Sequence, residues 1–316
     1  FADVLNPVDM SGQSAVVQNA LERTLRCLVE SGEVDGVIVM SGSPASKVDT
    51  SLLHEIPVLF VELDSSTDLI ADYSRGGRAV FNTMESACRA MRLWSVVSPF
   101  TPRAPKASAL PRASRAGASV GEAMELATKQ LGIEFPAWQV VDSPASARAF
   151  GEAVGWPIVL KGDVDSATHK VASGLLRLGV TADDVDGWFD VVAAHGAGVV
   201  AMRQAPRANE WLVSFTWREP FGWVVTLGVG GSLVEVADRV VAIPVSLVDD
   251  RLIELVVAVE PRLASGSFGK ELPTVCALVV QMIDGLDRLE FTTAEFNPCV
   301  VDGDRLLALD ARLTTD

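Results

Sequence analysis

Four groups of side chains have the types and spacing that chemistry needs. Lys161 closes the apolar run Pro157-Ile158-Val159-Leu160 and stands just before Gly162. A lysine leaving a buried strand can hold its ammonium against a phosphate while the strand fixes its origin; a surface lysine laying its stem along the protein fits the same residues. Gly228-Val229-Gly230-Gly231 follows a second apolar run. Closely spaced glycines let backbone N–H groups approach a phosphate or carboxylate, and they also make tight turns. Glu295 and Asn297 alternate on one strand-like run, and Asp310 ends the next. Residues two apart on a strand share a face, and Mg²⁺ favours one or two protein oxygens completed by phosphates. A solvated hairpin end has the same pattern. His169 sits beside Lys170 in a polar stretch; imidazole can accept a phosphoryl group or act as acid or base, and an ordinary loop histidine does neither.

Other chemistries find no support. Neither a G-x-G-x-x-G opening a helix nor a G-x-x-x-x-G-K-[ST] loop occurs, and no G-x-S-x-G elbow supplies a nucleophile. His54 and His195 lie in Leu-Leu-His-Glu and Ala-Ala-His-Gly contexts that suggest no role. Cys27, Cys88, Cys276 and Cys299 have no C-x-x-C pair and no zinc spacing, so they read as small apolar residues in a reducing compartment.

The elements that would position these groups fall into two parts. Val34 to Met40 and Pro57 to Val61 are short, β-branched strands of the kind buried on both faces. Gln13 to Glu30 and Thr83 to Ser95 have helical spacing, and Gly76 to Phe81 supplies a third strand. This part reads as a flavodoxin-like α/β unit over residues 1–97, built on a parallel sheet. Residues 98–117, rich in Pro, Ala, Ser and Arg, read as an extended linker. Residues 118–316 then read as α+β. Val120 to Leu131 is a helix closed by Gly132, and Ser143-Pro144 caps the next. Strands follow at Pro157 to Gly162, Val199 to Arg203, Glu210 to Trp217 and Trp223 to Leu227. Helices at Asp249 to Glu260 and Leu272 to Leu286 precede final strands at Arg288 to Asn297 and Arg305 to Asp310.

Size and composition agree with this division. The 316 residues, 49% hydrophobic and 21% charged, suit two globular domains and exclude a disordered chain. A net charge of −15 repels nucleic acid outside the basic linker. No apolar run approaches the length of a membrane span, and the first residues, Phe1-Ala2-Asp3, have neither an initiator Met nor a leader pattern. The expectation is a cytoplasmic protein and a fragment of a longer one, engaging neither nucleic acid nor membrane.

Taken in order, the motifs resemble the NDP-forming acyl-CoA synthetases, the acetate–CoA ligase (ADP-forming) family related to succinyl-CoA synthetase. Asn6-Pro7-Val8-Asp9 and Val34 to Val39 resemble the opening of the family's second CoA-ligase, flavodoxin-like domain. Glu122 and Leu131-Gly132-Ile133 resemble the start of its ATP-grasp domain, and Gly155-Trp156-Pro157-Ile158-Val159-Leu160-Lys161 is similar to its lysine strand. His169-Lys170 with Gly174 to Gly179, Glu210, Glu219-Pro220-Phe221-Gly222 and Gly228 to Glu235 follow in family order. Glu295-Phe296-Asn297-Pro298 and Ala308-Leu309-Asp310-Ala311-Arg312 look like its closing motifs. The chain departs from the pattern at Ala172 and Leu175, beside the histidine, and at Leu263 to Gly269, where the family carries Arg-Gly.

The resemblance implies an ATP-grasp fold clamping Mg²⁺ and ATP or ADP between two α+β lobes. Lys161 would contact phosphate, with Lys170, Glu210, Gly230 and Gly231 also binding the nucleotide; Glu295, Asn297 and Asp310 would hold the metal. His169 would relay phosphate between nucleotide and a phosphohistidine, in an overall reaction of acid, CoA and ATP giving acyl-CoA, ADP and phosphate. The family's N-terminal CoA-binding domain and phosphohistidine domain have no counterpart here. Carboxylic acid and CoA would therefore reach the site through missing N-terminal domains or a partner subunit, and family habit implies a homo-oligomer. Two other readings of the same residues are a degenerate ATP-grasp module acting as nucleotide sensor or scaffold, and a carboxylate–amine ligase.

Overall fold

In the computed structural model, residues 6–8, 19–40, 56–62, 79–99, 116–164, 174–194, 198–219, 221–231 and 239–315 are described. His169, Lys170, residues 100–115 of the linker, the part of the expected helix before Asn19 and Gly76 to Arg78 of the expected third strand lie outside them. The chain divides into two units, Phe1–Pro99 and Phe100–Asp316.

The first unit is a three-stranded parallel sheet in the order β1 (Val37–Met40), β2 (Val58–Val61), β3 (Ala79–Phe81). Helix α1 (Ala20–Ser31) precedes β1 and helix α2 (Met84–Val97) follows β3, and both pack on the sheet. Helix α1 ends where Gly32 takes φ +66°, and α2 starts where Thr83 Oγ1 accepts the Ser86 N–H at 3.1 Å. All four β2 residues are buried, as a central parallel strand demands, and Leu25 of α1 packs with Val39, Val58, Phe60 and Val80.

The second unit contains two antiparallel sheets. The smaller has the order β4 (Trp138–Val141), β7 (Val199–Arg203), β5 (Ile158–Gly162), β6 (Leu176–Val180). Helices α4 (Pro144–Val154) and α5 (Val185–Ala193) cover one face, where Phe150 and Phe189 pack with Ile158, Leu160, Val199 and Ala201. By strand alternation Val159 and Lys161 face the other way. Ser143 and Ser146 form a reciprocal capping box with Pro144 in the first turn of α4, as the sequence predicts.

The larger sheet runs β10 (Val240–Pro244), β9 (Gly222–Val229), β8 (Trp211–Arg218), β11 (Thr293–Asp302), β12 (Arg305–Ala308), and β13 (Arg312–Thr314) also pairs with β11. Helices α3 (Val120–Leu131), α6 (Leu252–Val259) and α7 (Gly266–Met282) complete the unit. Strand β8 lies between β9 and β11. Its first five residues are all buried, because β9 and β11 flank it and both of its faces are covered.

Several boundaries differ from expectation, two of them at element starts. The strand expected from Arg288 starts at Thr293, after a 3₁₀ segment over Ile283–Arg288. Helix α7 begins six residues before Leu272 despite Gly266, Gly269 and an internal Pro273. Intrinsic propensity disfavours that start, and contacts to β8 override it: Phe268 sits edge-on to Trp211 with ring centroids 4.9 Å apart, and Glu271 accepts the Trp211 indole N–H. Among the described residues, no helix is long and apolar enough to cross a membrane.

Candidate functional site

Lys161 lies on β5 of the small sheet, on the face away from Phe150 and Phe189. Its side chain is only 4% exposed. Nζ donates to the Leu309 carbonyl and stands 3.4 Å from Asp310 Oδ1. A buried ammonium needs such partners, since desolvating it unpaired is costly. The lysine thereby ties β5 of one sheet to the segment between β12 and β13 of the other.

That segment has a defined register. β12 pairs Ala308 with Cys299, and β13 pairs Arg312 with Glu295, both antiparallel to β11. The Leu309 N–H donates to the Pro298 carbonyl at 2.8 Å, keeping the same register between them. Asn297 and Asp310 therefore stand opposite each other where the ladder is interrupted, as cross-strand neighbours on one face. Glu295 is two residues further on that face, opposite Arg312 on one side and Ser214 on the other. Ala294 and Phe296, on the opposite face, are fully buried. The face expected to carry Glu295 and Asn297 thus belongs to a strand that extends five residues past Asn297, and Asp310, expected to end the next strand, lies beyond the end of β12 at Ala308.

The glycines meet this edge. The Gly231 N–H donates to Asn297 Oδ1 at 2.7 Å, and the Gly230 N–H donates to the Glu210 carbonyl at 2.7 Å. A Cβ on Gly230 would lie 2.4 Å from the Trp211 carbonyl carbon, and one on Gly231, at φ +67°, would lie 1.6 Å from Glu210 Oε2. Backbone therefore passes where only glycine fits, with the Glu210 carboxylate beside Gly231.

One contact escaped the sequence. Asp163, two residues past Lys161, accepts the Gly121 N–H at 2.8 Å in the first turn of α3, while its own N–H donates to Gly198. A carboxylate there satisfies an orphan donor and complements the helix dipole. Nothing in the spacing pairs residues 42 apart.

Chemically, the arrangement joins one buried cation, an amide oxygen, three carboxylates and a glycine-lined backbone. Asn297 Oδ1 retains a lone pair beyond its bond to Gly231, so Asn297, Asp310 and Glu295 supply hard oxygen donors of the kind Mg²⁺ accepts. Among the described residues no cluster of three His, Cys, Asp or Glu side chains could form an all-protein metal cage. Of the expected site, Lys161, Glu210, Gly230, Gly231, Glu295, Asn297 and Asp310 are in the second unit's two sheets and their connections.

Residues 112–315 match the model of the ATP-grasp domain family. The β subunit of acetate–CoA ligase (ADP-forming) I from Pyrococcus furiosus is 24% identical over 61% of this chain and 89% of that protein. A trans-feruloyl-CoA synthase from an unknown prokaryotic organism is 24% identical over 75% of this chain, which spans only 37% of it. The dinucleotide-forming acetyl-coenzyme A synthetase 1 of Candidatus Korarchaeum cryptofilum, solved with coenzyme A and Ca-AMPCP, shares the fold. Its TM-score is 0.55 at 20% identity, over 64% of this chain and 95% of that one. With one family model covering more than half of its length, the chain belongs to the ATP-grasp domain family through residues 112–315.

Proposed function

We propose that this chain is the nucleotide-binding part of an ADP-forming acid–CoA ligase. Residues 118–316 act as the nucleotide clamp, and residues 98–117 join them to a flavodoxin-like CoA-ligase domain over residues 1–97. The observation that carries this reading is Lys161: a buried ammonium carried from the small sheet to the edge where Asn297 and Asp310 of the large sheet face each other. A cation and hard oxygen donors brought together from two sheets suit a polyphosphate with its metal.

In this reading Lys161 takes the phosphate oxygens, with Lys170, Glu210 and the Gly230 and Gly231 backbone completing the nucleotide contacts. Asn297, Asp310 and Glu295 hold Mg²⁺, which when bound neutralises charge on the phosphates. His169 accepts the γ-phosphoryl group through an imidazole nitrogen, a P–N bond forming as the P–O bond to ADP breaks, or returns it in the reverse direction. Support comes from the relatives: acetate–CoA ligases and a feruloyl-CoA synthase by name, and an acetyl-coenzyme A synthetase solved with Mg-AMPPCP and a phosphohistidine segment pointing towards its nucleotide site. Carboxylic acid and CoA reach the reaction through further domains or a partner subunit, in a homo-oligomer located in the cytoplasm.

Calorimetric titration of the chain with ATP and ADP, with and without magnesium, tests the clamp. Magnesium-dependent binding is expected, and Lys161→Ala abolishes it while the circular dichroism spectrum is retained. Unchanged affinity in that variant overturns the site assignment. No binding by the wild-type chain at millimolar nucleotide favours the degenerate scaffold instead, a reading motivated by Ala172 and Leu175 beside His169. Phosphohistidine trapping on the complete enzyme, compared with His169→Ala, tests the relay.

A further inference from the structure

Glu210 is an exposed side chain on an unusually constrained piece of backbone. On its two sides, Asn209 and Trp211 point away from it to the same partner. The Asn209 amide Nδ2 donates to Glu271 Oε1 at 2.8 Å, and the Trp211 indole Nε1 donates to Glu271 Oε2 at 2.7 Å. Each carboxylate oxygen thus holds one neighbour of Glu210. Ser267 Oγ donates to Asn209 Oδ1 at 2.9 Å, so the first turns of α7 grip the Asn209 amide at both ends. Trp211 is fully buried and Phe268 packs edge-on against it. From the opposite side, Gly230 donates to the Glu210 carbonyl and the Glu210 carboxylate lies against Gly231.

Successive side chains on an extended backbone point to opposite sides, so fixing residues 209 and 211 on α7 fixes the direction in which residue 210 leaves. An exposed glutamate otherwise spreads over several rotamers and must lose that freedom to bind. We infer that Glu271 is a positioning residue for Glu210: it touches no ligand itself and acts by aiming the Glu210 carboxylate at the nucleotide. The inference rests on the reading of Glu210 as a nucleotide contact. It also gives the segment Leu263 to Gly269, which departs from the family's Arg-Gly pattern, a role as the start of the brace.

The test is a double-mutant cycle on the full chain, read by calorimetric affinity for MgADP and by thermal melting. Glu210→Gln alone weakens MgADP, and Glu271→Ala alone weakens it on the order of tenfold, the middle of the range for residues coupled through one hydrogen-bonded network. In the Glu210→Gln background, Glu271→Ala causes no further loss of affinity, while its effect on melting is the same in both backgrounds. Glu271→Gln restores most of the affinity, because a flipped Asn209 amide can accept from the new amide while the indole still donates to its oxygen. Should Glu271→Ala fail to fold, Asn209→Ala, which leaves α7 intact, follows the same pattern. Wild-type affinity in Glu271→Ala, or an equal loss in both backgrounds, overturns the positioning role and leaves the Glu210 reading standing. An unchanged affinity in Glu210→Gln overturns that reading and the positioning role with it.

Discussion

Replacing Gly231 by alanine separates backbone strain from displacement of a side chain. Gly231 has φ +67°, and Gly303, in the turn between β11 and β12, has φ +66° with open space where a Cβ would go. The left-handed conformation costs an alanine about 1–2 kcal/mol. Loss of unfolded-state freedom offsets about 0.4–1 kcal/mol of that. A net cost of about 1 kcal/mol lowers Tm by about 2–4 °C in a unit of this size, at either position. Only at Gly231 does the new methyl meet Glu210, at 1.6 Å from Oε2, 2.7 Å from Cδ and 3.4 Å from Cβ. Those three nearest atoms belong to a flexible side chain, so the carboxylate can swing away with little added loss of stability. The nucleotide contact proposed for it cannot follow. Losing a hydrogen bond to a charged group is worth about 1.5–3 kcal/mol, or roughly ten- to a hundredfold in Kd. Paired melting and MgADP titrations should therefore show Gly231→Ala and Gly303→Ala melting alike, with only the former losing affinity. Equal, undiminished affinity in both would refute the placement of the carboxylate against Gly231 as functionally relevant.

Three further outcomes follow from geometry elsewhere. Gly230→Ala should destabilise far more than Gly231→Ala, because its Cβ would meet Trp211 and Leu212 backbone atoms at 2.4 to 2.7 Å and nothing flexible can yield; a denaturant midpoint matching that of Gly231→Ala would contradict this. Burial pushes the Cys276 thiol up to about 12 and the Cys299 thiol higher still, whereas Cys27 and Cys88 are exposed. At pH 8 iodoacetamide should thus label Cys27 and Cys88 in the native protein, and the other two only after unfolding, which mass spectrometry of the labelled peptides resolves. The Arg262 guanidinium and backbone N–H hold the Glu260 carboxyl below its usual range. A carboxyl lowered in the folded state contributes stability above its unfolded pKa and loses it as pH falls through the folded one. Melting curves from pH 7 down to pH 3 should show a smaller acid-induced loss in Glu260→Gln than in wild type; identical slopes would rule the contribution out.

What the sequence made legible was whatever local chemistry decides. Val120 to Leu131 with Gly132, and Ser143-Pro144, carry their own start and stop signals and fold as those signals direct. The buried strands at Val58–Val61 and Ile158–Gly162 were visible as β-branched runs. Lys161, Asn297 and Asp310 could be nominated because a short strand or hairpin limits where each side chain points. The start of α7 was illegible, since two glycines and a proline argue against a helix that Phe268 and Glu271 secure through β8. The same holds for Asp163 with Gly121 and for Asn209, Trp211 and Glu271: their partners lie 42 to 62 residues away and no spacing encodes them.

The break between β12 and β13 has an architectural meaning. Both short strands keep one alignment along β11, so the interruption at Asp310 and Ala311 is a window in a continuous frame rather than the end of one. Rungs above and below the window hold its dimensions. If the proposed site holds, substitution of Asn297 or Asp310 should leave those rungs in place. Under the proposed reading, variation there retunes what the window admits without asking the surrounding strands to refold.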